Sequence, residues 1–377
     1  MDQWMKLYVL GAGSYGKVYY AVKMDPFSLC VSVAAVKCAD MNRSVSLQQE
    51  AEILTTLKDS PYVVQFIGSD VSIDNGGIST YNLFLEYAYG GSLHDLIVNS
   101  KMRRIRMSEV EVGFYAYQLL KGIQHVHEKG WVHCDIKPAN VLIFNNAERG
   151  GMHKLKLADF GLSLRVPEGV AYMTGATMSN KGTLPYAPPE SLISGFHGRS
   201  YDIWSLGCTV AEMMTGCRVW IYRDTKDLQW KIMNEEPMIP SDVSEIARDF
   251  LYKCLIKDPL KRWTTQQLLQ HPFIQQALLC TRMRETHGIT SRVNPFGCRL
   301  GIYRKEIHIS SPRVVESSRR NRLSKFLIAD PAISISISFS DHPSKFFSSQ
   351  SMSKLRHRMS QFCSRNITIS IPIKHLE

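Results

Sequence analysis

Apolar positions in the first forty residues fall in runs, not at helical intervals. Leu7-Tyr8-Val9-Leu10, Val18-Tyr19-Tyr20-Ala21-Val22 and Val31-Ser32-Val33-Ala34-Ala35-Val36 are rich in β-branched and aromatic side chains. A glycine-rich turn and Asp25-Pro26 separate them, so residues 4–40 are expected to be strands. Leu47, Ala51, Leu54 and Leu57 then recur at the spacing of one helix face, which predicts a helix over 47–58. Val63–Gly68 and Tyr81–Tyr87 read as two further strands on either side of the turn residues Asp74-Asn75-Gly76-Gly77. The pattern predicts a small, mainly antiparallel sheet with one helix.

After Gly90-Gly91 the period becomes helical. Ser108-Glu109-Val110-Glu111 matches a capping box, in which the serine oxygen takes a free amide of the first turn and the glutamate reaches back. Val110, Phe114, Tyr117, Leu120 and Ile123 continue it as one stripe, and Gly130 ends the helix. Asp202 to Gly216 is apolar nearly all round, the mark of a buried central helix. Helices are expected to continue until His271-Pro272-Phe273. Beyond about Cys280 the chain is rich in Ser, Arg and Ile without sustained helical periodicity, and disorder is expected. Ile333–Ser340 is the exception: its strict alternation would make a two-faced strand if it met a partner edge. The expected organisation is a sheet lobe at 4–88, a helical lobe at 89–276 and a tail at 277–377; no internal repeat is visible.

Composition narrows the picture. A chain of 377 residues, 44% of them hydrophobic, can form two ordinary domains or one bilobed unit with an appendage. Nine cysteines without a C-x-x-C pair argue against a disulfide framework and a zinc cluster, and for a reducing compartment. The N-terminal MDQWMKLYVL lacks a basic segment and a long apolar core, and no window reaches eighteen uninterrupted apolar residues, so neither a signal peptide nor a membrane span is expected. The net charge of +11 changes meaning once divided: residues 281–377 hold 17 Lys+Arg and 6 Asp+Glu, leaving 28 of each in residues 1–280. A neutral body with a basic tail suits an arm that touches an acidic partner better than a globular nucleic-acid domain. Within the tail, RRNRLSKFLI (Arg319–Ile328) sets arginines ahead of Leu323, Phe326 and Ile328, in the manner of a nuclear-import patch, of a docking segment for an acidic groove, or of idle solvated chain. Without an aromatic ladder or a recognisable module, nucleic acid is not an expected partner. The expected compartment is the cytoplasm, with nuclear entry as the alternative.

Three segments carry chemistry. LGAGSYGKV (Leu10–Val18) places glycines at 11, 13 and 16 between two predicted strands. A dinucleotide fold would follow them with a helix; a hairpin whose tip lacks side chains can instead lie over the phosphates of a nucleoside triphosphate, and a plain turn is the bland reading. Lys37 ends an apolar strand, where a lysine is ordinarily solvated, but Glu50 on the following helix stands one turn before Ile53-Leu54 and could bring a carboxylate to the ammonium. So held, the ammonium would neutralise phosphate charge in a water-poor cleft. HCDIKPANVLI (His133–Ile143) holds Asp135, a possible proton acceptor, Lys137, a charge balance for a transferring phosphoryl group, and Asn140, a possible divalent-ion ligand. A polar turn would explain one of these groups and not all three. Asp159-Phe160-Gly161, after a predicted strand at Lys154–Leu157, offers a second hard oxygen ligand, and two such ligands on neighbouring strand ends suit Mg²⁺ bound to substrate phosphates.

In this order and spacing, Gly11-x-Gly13-x-x-Gly16-x-Val18, Ala35-Val36-Lys37, Glu50, His133-x-Asp135-x-Lys137-x-x-Asn140, Asp159-Phe160-Gly161, Pro188-Pro189-Glu190, Asp202-x-Trp204-x-x-Gly207 and Arg262 resemble the eukaryotic protein kinase set over residues 4–276. The resemblance implies an α+β, bilobal protein kinase fold, with a small antiparallel sheet and one helix in the N-lobe and a large, mainly helical C-lobe. It implies transfer of the γ-phosphate of ATP, with Mg²⁺, to serine or threonine, because Lys137 follows Asp135 by two residues. Leu83–Leu93 and the His-Cys-Asp sequence are most similar to plant MAP kinase kinase kinases of the MEKK type, which implies a MAP kinase kinase as substrate and gives the basic tail a downstream kinase to dock on. On this resemblance Lys37 pairs with Glu50 and holds the α/β-phosphates, Asp159 and Asn140 hold Mg²⁺, and Asp135 is the catalytic base with Lys137 beside it. Leu10, Gly11, Gly13, Gly16, Val18, Ala35, Leu85 and Leu142 would surround the nucleotide, with Leu85 as gatekeeper and the backbone from Glu86 to Ala88 as hinge. Glu190 and Arg262 would form a structural ion pair. Since Lys37, Asp135, Asn140 and Asp159 are all present, an active enzyme is expected over a pseudokinase that keeps the fold as a scaffold.

Two departures matter. Pro188-Pro189-Glu190 replaces Ala-Pro-Glu, for which only a local backbone change is expected. Cys134 replaces the arginine that pairs with a phosphorylated activation loop, so activity is expected to depend less on phosphate there, with Thr174, Thr177, Ser179 and Thr183 as the candidate sites. Cys134 itself is expected to fill space, not to serve redox chemistry.

Overall fold

The computed structural model describes residues 4–13, 16–24, 31–73, 77–144, 152–166, 172–173 and 182–287. The N-terminal part is one antiparallel sheet in the order β1-β2-β3-β5-β4, formed by β1 (Met5–Gly13), β2 (Gly16–Met24), β3 (Val31–Asp40), β4 (Phe66–Ile73) and β5 (Ser79–Glu86), with helix α1 (Val45–Thr56) against it. The period-two rule divides β3: Ala34, Val36 and Cys38 are buried with Ala21 and Phe84 on one face, so Ala35 and Lys37 point to the other. That alternation aims Lys37 at α1, whose buried side is Leu47, Glu50, Ala51, Ile53 and Leu54.

The second lobe is built on α2 (Leu93–Met102), α3 (Glu109–Glu128), α4 (Pro189–Ser194), α5 (Arg199–Thr215), α6 (Thr225–Asn234), α7 (Glu245–Cys254), α8 (Thr265–Leu269) and α9 (Pro272–His287). Short strand pairs, β6 (Trp131–Val132) with β9 (Leu164–Arg165) and β7 (Val141–Phe144) with β8 (Lys154–Leu157), shape the loops between them. Helix α5 is buried from Tyr201 to Met214, as its all-round apolar sequence predicts.

Four expectations need correction. The strand expected at Val63–Gly68 is β4, which starts at Phe66; Val63 and Val64 are buried because they run beside β8, with the Val64 amide donating to the Leu157 carbonyl at 2.9 Å. The capping box at Ser108 is half made: its hydroxyl accepts from the Glu111 amide, but the Glu111 carboxylate takes the Tyr115 hydroxyl instead. Complete boxes stand at Ser92/Asp95 and Thr264/Gln267. Helices do not stop at His271-Pro272-Phe273, and the tail does not begin at 277: α9 continues to His287, lies against α3 and buries Ala277 and Thr281. Small and polar residues at those buried positions hide the helical stripe. Residues 288–377, including Ile333–Ser340 and Arg319–Ile328, lie outside the described residues.

Glu190 and Arg262 do pair. The guanidinium donates to both carboxylate oxygens, at 2.6 and 3.0 Å, and to the carbonyls of Ile256, Ser200 and Lys257, and it lies over the Trp204 ring. Pro188 takes the extended N-cap position of α4 and Pro189 its first turn, where a missing amide hydrogen matters least, so the departure stays local. Removing one partner strands the other charge in the interior, so Arg262→Ala is expected to lower stability by about 3–5 kcal/mol. Urea denaturation measures this, and a loss below about 1 kcal/mol would contradict the assigned structural role.

Candidate active site

The glycine hairpin comes first. Strands β1 and β2 meet at Gly13↔Gly16, and Gly16 has φ +123°. A Cβ there would lie 2.0 Å from the Cys38 carbonyl oxygen, so only glycine lets the hairpin base approach β3 so closely. The register then sets Gly11, Val18 and Lys37 in one row across the sheet, and Tyr20, Ala35 and Leu85 in the next row but one. Leu10 is exposed, Leu85 and Ala88 are buried, and Leu142 is half-buried on β7 opposite Ser92. Of the segment named as a hinge, the Glu86 amide is already given to the Gln65 carbonyl at 3.0 Å, and its carboxylate takes the Gln65 amide and the Lys156 ammonium.

Lys37 Nζ lies 2.7 and 2.9 Å from the two oxygens of Glu50 and 2.9 Å from Asp159 Oδ1. Glu50 also accepts the Phe160 amide at 3.2 Å, so one carboxylate joins β3, α1 and the segment after β8. Burial disfavours the ammonium, but Glu50 and Asp159 outweigh it and hold the lysine above its usual range. Burial likewise acts against the Asp159 carboxylate, and Lys37 prevails, holding it below the usual range. Lys37 is therefore charged, and one carboxylate beside it stays ionised.

The second group of residues lies on the loop after β6. Asp135 Oδ2 accepts from Lys137 Nζ at 2.7 Å and from the Asn140 amide at 2.8 Å. Asn140 gives a further bond to the Asp135 carbonyl at 2.9 Å, so its amide nitrogen is committed to Asp135 and its oxygen is the atom with ligand capacity. With Asp159, that makes one amide and one carboxylate oxygen: hard donors, too few to enclose a cation, and suited to Mg²⁺ that keeps water or phosphate oxygens in its remaining positions.

Asp202, His133 and Thr183, named in the sequence without a role in this loop, complete it. Asp202, fully buried at the start of α5, accepts the amides of His133 and Cys134, each at 2.9 Å, and His127 Nε2 at 2.8 Å. Two successive amides aimed at one carboxylate require an unusual turn, and Cys134 accordingly has φ +63°. Asp159, at φ +68°, is the other strained residue beside the reacting groups. His133 accepts the Asp135 amide on Nδ1 and faces the Ala158 carbonyl through Nε2, the pattern of a neutral ring protonated on Nε2. Thr183 is the third: its hydroxyl donates to Asp135 Oδ1 at 2.7 Å and accepts from Lys137 Nζ at 2.6 Å. An expected modification site is thus engaged with the reacting groups; Thr174, Thr177 and Ser179 lie outside the described residues.

A sheet lobe with a glycine hairpin, a lysine held by two carboxylates, and an aspartate–lysine–asparagine loop tied to a buried helix is a known combination. Residues 4–274 match the family described as "Protein kinase domain". The chain belongs to the protein kinase family. Mitogen-activated protein kinase kinase kinase 20 of Arabidopsis thaliana is 35% identical over 277 residues, which are 72% of this chain and 78% of that protein. Kinase kinase kinases 17 and 18 of the same plant are 36% and 37% identical, each over 72% of this chain and over 69% and 77% of their own lengths. The chain is a protein serine/threonine kinase of MAP kinase kinase kinase-like sequence.

In this kinase Asp202 carries the loop that carries Asp135. Asp202→Asn turns one accepting oxygen into a donor facing N–H groups, with an expected loss of about 1–3 kcal/mol in denaturant unfolding. It should also lower kcat, because the loop that holds Asp135 and Asn140 loses part of its anchor. An unchanged kcat in the folded variant would contradict this.

Proposed function

We propose that this chain is a MAP kinase kinase kinase that transfers the γ-phosphate of ATP to serine and threonine hydroxyls of MAP kinase kinases. The observation that carries the chemistry is the closed set Asp135–Lys137–Thr183, a carboxylate, a cation and a hydroxyl mutually hydrogen-bonded in front of Asn140. The substrate class rests on the names of the relatives.

Asp135 orients the incoming hydroxyl and accepts its proton as the oxygen bonds to the γ-phosphorus and the bond to the β-phosphate oxygen breaks, releasing ADP. Lys137 balances negative charge on the group in transfer. Lys37, fixed by Glu50, holds the α/β-phosphates, and Asp159 with the Asn140 oxygen holds Mg²⁺, which supplies further neutralisation of phosphate charge. Leu10, Gly11, Gly13, Gly16, Val18, Ala35, Leu85, the Glu86–Ala88 backbone and Leu142 form the nucleotide's surroundings. Catalysis on this reading is positioning and fixed charge, with no covalent enzyme intermediate. The same reading assigns the chain to the cytoplasm, in keeping with nine cysteines and no C-x-x-C pair, and gives Arg319–Ile328 a docking role toward an acidic groove on the substrate.

Asp135→Asn removes the base and Lys37→Met the phosphate-holding charge. Each is expected to lower kcat at least about a hundredfold with the circular dichroism spectrum retained. Transfer of label from γ-labelled ATP to a purified MAP kinase kinase, beside a generic basic protein, measures this. A variant at near-full rate would refute the roles, and equal use of both substrates would refute the substrate class.

A further inference from the structure

Cys134 stands where the resemblance leads to an arginine. The side chain is fully buried in a cluster of Val132, Leu164, Val166, Ala187 and Tyr201, all apolar but for one phenol. An arginine here would have to bring its guanidinium out of water and find room beside Tyr201.

Tyr201 occupies this ground. It is the third residue of α5, 1% exposed, and its ring stacks on His197 with centroids 5.3 Å apart and planes at 17°. Its hydroxyl reaches the chain just ahead of Thr183: a Cβ on Gly182 would lie 2.3 Å from the phenol oxygen and 2.5 Å from the Cys134 carbonyl oxygen, and Gly182 has φ +86°. The phenol, the backbone beside the catalytic loop and Gly182 therefore meet at one point, where the absence of a side chain is required. Burial keeps the phenol protonated well above the usual tyrosine range, with Cys134, Asp135, Asp202 and Glu190 as its ionisable neighbours, so it remains a hydrogen-bond donor.

The next residues on each side link this point to the reaction. Thr183 follows Gly182 and bonds to Asp135 and Lys137; Asp202 follows Tyr201 and fixes the amides of His133 and Cys134. One turn of a rigid buried helix thus touches both halves of the hydroxyl-accepting site.

We propose that Tyr201 is a positioning residue for phosphoryl transfer: its hydroxyl seats Gly182 against the catalytic loop, so that Thr183 reaches Asp135 and Lys137. In kinases with an arginine before the catalytic aspartate, a phosphate–arginine pair orders this segment; here a buried phenol built into α5 does so, and Cys134 is small to admit it. The inference rests on the proposed kinase activity and deepens it.

The test uses the full chain with Tyr201→Phe, which keeps the ring and removes the hydroxyl. The expected result is about a tenfold lower kcat toward protein substrate, with KM for ATP unchanged and the thermal midpoint close to that of the natural protein. Gly182→Ala, which intrudes on the same contact from the other side, should give the same split if the phenylalanine variant does not fold. Phosphatase-treated natural protein should keep its rate. Full kcat in folded Tyr201→Phe, a loss shared equally by ATP affinity and thermal stability, or abolition of activity by phosphatase would each overturn the proposal. An inactive natural protein would sink the kinase reading itself, whereas an active one with an equally active phenylalanine variant sinks only the role of Tyr201.

Discussion

Lys37 on β3, Glu50 on α1 and Asp159 beyond β8 bring one ammonium and two carboxyl groups together at hydrogen-bond distance, with Glu50 fully buried and the other two partly so. Bringing such charges out of water is unfavourable for each alone, and only their mutual attraction and the Phe160 amide offset it. The arrangement therefore constrains everything around it. The strand must present Lys37 away from its buried face, α1 must turn Glu50 inward, and the chain after β8 must hold Asp159 in a left-handed conformation. Lys37 holds the Asp159 carboxyl below its usual range, so an ionised oxygen donor stands ready for a divalent cation.

A second buried carboxylate does corresponding work below it. Asp202 takes two consecutive amides and a histidine, so the loop bearing Asp135 and Asn140 is fixed to α5, which is buried from Tyr201 to Met214. From the same helix Tyr201 meets Gly182, the residue before Thr183. The reactive loop and the residues next to Thr183 thus share one foundation in α5. That is how electrostatic preorganisation is built: the groups are already oriented when charge develops.

Much of this was legible in the sequence because it is local. The β-branched runs, the glycine hairpin, the helical spacing from Leu47 and the all-round apolar α5 each carry their own period, and the motif spacing located Lys37, Glu50, Asp135, Asn140 and Asp159. What was not legible depends on contacts between distant segments. Val63 and Val64 are apolar because β8 runs beside them, not because they lie in a strand. Helix α9 turns Ala277 and Thr281 inward, residues too small or polar to mark a stripe. Thr183 lies 48 residues from the aspartate it bonds, and Asp202 is 69 residues from the His133 amide it accepts; no local pattern announces either pairing.

The central claim is that the lysine, the base and two oxygen ligands converge to receive a magnesium-bound triphosphate. Titration calorimetry of the natural protein with ATP, in the presence and in the absence of Mg²⁺, addresses it without relying on a protein substrate. The account predicts a single nucleotide site whose affinity rises sharply with the metal. Binding indifferent to Mg²⁺, or no binding at all, would contradict it.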